Sequence, residues 1–190
     1  MNLEDLPLKE CLDRTRGLLE LPGLNRIVCL LSSDYMKDAD EEKTAWLEES
    51  DLAVFYAGGQ NEIAGISSDT ENHMKAEDYL RLFIKYLSGT GKGVMFITDS
   101  EEREQEIRSS FFVTDEQPQE TDHSESEVNS YILNDALDID DMYNAVNEAE
   151  AAAVFVFLPW DRQAELYERG KSIINTSLWV AVEDYIVKSL

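Results

Sequence analysis

Two kinds of apolar pattern alternate along the chain. Short runs rich in apolar residues at Arg26–Leu31, Asp51–Ala57, Gly93–Thr98 and Ala151–Pro159 are separated by longer stretches. In those stretches large apolar residues return every third or fourth position. The clearest run is Ala-Ala-Ala-Val-Phe-Val-Phe-Leu-Pro at Ala151–Pro159, which carries no polar side chain. Both faces of such a segment must be covered. Val-Phe-Val-Phe favours a pleated backbone, and Pro159 ends the run by withholding a ladder donor. A strand apolar on both sides needs helices above and below it, which predicts a layered α/β domain.

The helical spacings fill in the rest. Leu8, Cys11, Leu12, Thr15, Leu18 and Leu19 predict a helix near Pro7–Glu20, stopped by Pro22-Gly23. A short helix over Asp40–Glu49 would bury Trp46 and Leu47. Ala76, Tyr79, Leu80, Phe83, Ile84 and Leu87 form the cleanest stripe, closed by Ser88-Gly89-Thr90-Gly91. Asp99-Ser100-Glu101-Glu102 matches a capping pattern with Asp99 as N-cap, opening a helix to about Ser110. Ile139, Met142, Tyr143, Val146 and Ala149 mark another helix. Asp161 is expected to cap one through about Ser172, and Leu178, Ala181, Val182, Tyr185 and Ile186 predict a terminal helix. Tyr131-Ile132-Leu133 reads as a short edge strand. Gly58-Gly59 is either a hairpin turn into Glu62–Ser67 or the loop of a βα crossover, and the shortness of that segment favours the hairpin. The expected whole is one three-layer α/β domain over residues 1–190, with a mostly parallel sheet of four or five strands and helices on both faces.

Charge narrows the choice of function. The 190 residues hold 16 Lys plus Arg against 40 Asp plus Glu, a net −24, while 43% of them are hydrophobic. The apolar content rules out wholesale disorder. The charge repels polyphosphate backbones and anionic membrane surfaces, so neither direct nucleic-acid binding nor membrane association is expected. No apolar run approaches the ~20 residues of a membrane span, and the acidic N-terminus lacks a signal-peptide core, which predicts a cytoplasmic chain. Cys11 and Cys29 fall within apolar patterns and read as buried free thiols. Residues 114–130 are acidic and poor in large apolar side chains, which predicts a mobile loop inside the domain.

Candidate chemistry is sparse. Ser88-Gly89-Thr90-Gly91-Lys92-Gly93 lacks the phosphate-loop frame and precedes a strand, so a helix C-cap explains it. Asp34, Asp99 and Asp161 each follow a predicted strand, where three carboxylates would hold Mg²⁺ for phosphoryl or nucleoside chemistry. Against that, Asp at such junctions commonly caps the next helix. Glu49–Gly59 resembles the second strand of nucleoside deoxyribosyltransferase-like folds, which implies roles for Asp69 and Glu77. Glu77 is flanked by Ala76 and Asp78 where glycine and aromatic residues are usual, and its helical position reads as solvated. His73 and His123 sit in no nucleophilic spacing. Trp160, just after the central strand, suits packing or the lining of a pocket.

The acidic run remains. Glu101, Glu102, Glu104 and Glu106, followed by Asp115, Glu116, Glu120 and Asp122, form a surface suited to a cationic protein. Carboxylates along a helix also imitate the charge of a DNA backbone. The sequence therefore predicts a non-enzymatic acidic protein that binds and blocks a basic partner, as an inhibitor, immunity protein or nucleic-acid mimic, with no cofactor. A small carboxylate-dependent α/β enzyme is the alternative.

Overall fold

The computed structural model describes residues 6–30, 40–55, 76–112, 128–133 and 139–183. In chain order they form α1 (Leu8–Glu20), β1 (Asn25–Cys29), α2 (Glu41–Glu48), β2 (Leu52–Val54), α3 (Ala76–Gly89) and β3 (Val94–Thr98). Then follow α4 (Glu101–Phe112), β4 (Val128–Ile132), α5 (Ile139–Glu148), β5 (Ala153–Val156), α6 (Trp160–Gly170) and β6 (Leu178–Val182). The strands make one sheet of six in the order β2-β1-β6-β5-β3-β4, and every neighbouring pair is parallel. The fold is α/β with one strand more than the upper expectation. Among the described residues no helix is long and apolar enough to cross a membrane.

Right-handed crossovers place helices by the direction of each step across the sheet. The burial pattern agrees with that rule. On one face, Cys11 and Leu19 of α1, Tyr79 and Phe83 of α3, and Ile107 of α4 pack on Ile27, Phe96, Phe155 and Val180. On the other, Trp46 of α2, Met142 and Val146 of α5, and Leu166 of α6 pack on Val28, Met95, Val154 and Trp179. Strand residues alternate strictly between the two sets, as a pleat requires. Between α5 and α6 the helices come close at Gly170, where a Cβ would stand 2.7 Å from both Ile174 and Tyr143. The Tyr143 hydroxyl donates to Leu166 O at 2.8 Å across the same contact.

Four expectations need correction. Leu178–Val182 is a central strand instead of the start of a helix, because Trp179 and Val180, between the stripe positions, are also fully buried. The cap of α4 is Ser100, whose Oγ accepts from Arg103 N at 3.3 Å, one residue after the expected Asp99. α6 begins at Trp160 behind Pro159, so Asp161 lies in its first turn and does not cap it. Val128–Ser130 belong to the edge strand β4, not to an acidic loop; the remainder of that loop, the Gly58-Gly59 segment and both histidines lie outside the described residues. Cys11 and Cys29 are buried free thiols as expected, and burial pushes the Cys29 thiol well up.

Candidate functional site

The acidic helix α4 lies against β3 and β4, with Ile107 turned into the core. Its orientation is held by polar contacts with the edge strand. Arg108 pairs through Nε with Glu104, and its Nη2 donates to Val128 O and to Ser130 Oγ, each at 3.2 Å. The Ser130 hydroxyl donates to Glu104 Oε1 at 2.8 Å. The hydrogen bond from Arg108, helped by that from Ser130, holds the Glu104 carboxyl below its ordinary value against the opposing effect of desolvation. At the start of the helix, Arg103 Nη1 meets Asp99 Oδ2 at 3.0 Å.

Both cations of α4 are thus engaged with their own helix, its leading turn or the neighbouring strand. Glu101, Glu102 and Glu106 are exposed, and among the described residues none of the three is ion-paired. α5, on the other face of the same end of the sheet, adds exposed Asp140, Asp141 and Glu148 and has no basic residue. The α6 segment balances itself, with Arg162 and Arg169 on Glu165 at 3.2 and 3.7 Å and Lys171 against Glu168 at 2.5 Å. α1 does likewise through Arg14–Glu10 at 3.6 Å and Arg16–Asp13 at 3.3 Å. α2, near the β2 edge, is also acid-rich and is met by Arg26, whose Nη2 lies 3.7 Å from Glu49.

Of the residues expected to meet a partner, Glu101, Glu102 and Glu106 share this exposed helix. Glu104 does not join them: its side chain is 17% exposed and is occupied by Arg108 and Ser130. Asp115, Glu116, Glu120 and Asp122 lie outside the described residues. So does Asp34, while Asp99 is paired with Arg103 and Asp161 is exposed on the first turn of α6. Among the described residues no three His, Cys, Asp or Glu side chains gather as metal ligands. Glu77 is half-exposed at the start of α3, and Asp69 lies outside the described residues.

The sequence reading missed Arg26. This residue is 2% exposed, and its guanidinium lies between the rings of Trp46 and Tyr167, 4.7 and 4.8 Å from their centroids. Its Nη2 donates to Trp46 O at 2.9 Å, and its backbone N–H donates to Asp51 Oδ2 at 2.7 Å. One buried cation therefore ties α2, β1 and α6 together. The only local signal was a basic residue at the head of an apolar strand.

No protein-family model matches the chain, and comparison with curated proteins finds no significant relative.

Proposed function

We propose that the chain is a non-enzymatic acidic protein that binds and blocks a basic protein partner. The observation that carries this reading is the division of labour on α4. Its arginines are held by Asp99, Glu104 and the edge strand, while Glu101, Glu102 and Glu106 face outward with no cation of the described residues against them. Carboxylates presented on a helix fixed to the sheet lose little freedom on meeting lysine or arginine, and the net −24 steers a cation toward them.

Affinity capture at low ionic strength is expected to recover a protein of high isoelectric point and to lose it as salt shortens the Debye length below ~8 Å. Converting Glu101, Glu102 and Glu106 together to Gln should slow association about tenfold. Converting Glu165 and Glu168 on the self-balanced α6 should leave it near the original rate. Equal association rates in the two variants would dismiss α4 as the contact surface.

A further inference from the structure

Beyond the acidic helix, the structure holds an apolar cavity of about 210 Å³ on the α2/α6 face, at the carboxyl ends of β1, β6 and β5. Open parallel sheets receive ligands at this end. Val28, Leu30, Leu158 and Ala181 supply apolar wall, while Trp46 and Gln163 supply the wall's two unsatisfied polar groups. Gln163 is 3% exposed, and its Nε2 donates to Leu158 O at 2.5 Å and to Val182 O at 2.9 Å. Those two acceptors fix the amide orientation and leave Oε1 without a partner. Trp46 Nε1, a donor, is unpaired as well. Leaving a buried polar group unsatisfied is costly, so two in one cavity wall ask for an explanation.

We propose that this cavity binds a small uncharged aromatic compound bearing one N–H or O–H group, with Gln163 Oε1 accepting that hydrogen. Size sets the first limit: an apolar cavity of about 150 Å³ holds benzene, so this one has room for a fused bicyclic ring such as indole. Charge sets the second. Apolar walls penalise any ion, and Glu183 at the rim repels anions. Trp160 lines the cavity and is half-exposed where Trp46 is buried, so it stands toward the rim. None of these residues belongs to the α4 surface, so this site and the basic-partner reading stand or fall separately.

Calorimetric titration of the full chain compares indole with benzofuran, which has the same shape but a ring oxygen in place of the N–H. Indole is expected to bind saturably and roughly 5- to 100-fold more tightly, the range set by leaving a buried acceptor unpaired. Ala181→Leu, which fills the cavity and leaves the Gln163 hydrogen bonds intact, should abolish indole binding while keeping a cooperative melt. Absence of indole binding, equal affinity for the two compounds, or unchanged binding in a folded Ala181→Leu protein would each overturn the proposal. The indole–benzofuran comparison needs no variant, so it decides the matter even if Ala181→Leu fails to fold.

Discussion

Among the described residues, the two faces of the sheet are covered by three helices each, yet they are finished differently. On the α1/α3/α4 face, Phe83, Phe96, Phe155 and Phe157 meet in tilted and edge-on contacts at 5.7–5.8 Å. Its buried Tyr79 hydroxyl is satisfied by Thr15 Oγ1 at 2.7 Å. The α2/α5/α6 face buries a charged Arg26 and leaves Arg26 Nε, Trp46 Nε1, Gln163 Oε1 and Trp179 Nε1 without partners. Beneath its helices the first face is a closely packed apolar layer, and its proposed contact surface is the outer side of α4. The second retains unpaired polar groups and a cavity within the layer itself, which is where the small-molecule proposal is placed.

The contrast can be broken by substitution, most severely at the aromatic cluster. Phe155→Ala is expected to cost ~3–5 kcal/mol in urea denaturation, since its ring is fully enclosed and touches two other rings. A loss below ~2 kcal/mol would show that the layer relaxes, against the close packing described. Next comes a pair that separates the faces. Thr15→Val strands the Tyr79 hydroxyl and should cost ~1–3 kcal/mol. Trp179→Phe removes an N–H that already lacks a partner, so it should cost less than ~1.5 kcal/mol despite the smaller ring. If Trp179→Phe proved the more damaging of the two, the distinction between satisfied and unsatisfied faces would fail.

The smallest effect concerns Glu104. Pairing lowers its carboxyl below the ordinary value, so the unfolded chain takes up that proton first as the medium is acidified. The stabilisation is complete above about pH 4.3, the unfolded value, and disappears as pH falls through the folded value. Glu104→Gln should therefore cost under ~1 kcal/mol near neutrality, a figure discounted because Arg108 is 38% exposed. The variant's stability should also decline less steeply between about pH 5 and pH 3 than that of the parent. Identical acid limbs would remove Glu104 from the contacts that hold α4 to the edge strand.

Much of this architecture was readable from local pattern. Val154-Phe155-Val156 sits in a run with no polar residue, and the α3 stripe repeats without interruption, so each carries its own signal. β6 was misread because Leu178, Ala181 and Val182 also satisfy a helical spacing, and only the apolar residues between them, Trp179 and Val180, reveal a strand buried on both sides. The acidic character of α4 was plain, yet which of its carboxylates face outward was not. Among its described side chains Ile107 alone is fully buried, and the helix's roll is set by Ser130 and Val128 on a distant strand. Arg26 and Gln163 were invisible for a related reason. Their partners Trp46, Tyr167, Leu158 and Val182 converge only once the sheet is ordered.

β6 follows every other described strand in the chain but is seated between β1 and β5. Until it arrives, a nascent polypeptide owns two separate fragments, the β2–β1 pair and the β5–β3–β4 triplet, each with an open flank suited to stray pairing. The sheet becomes continuous only when Leu178–Val182 has been made and seated, so its two parts are joined in a single step.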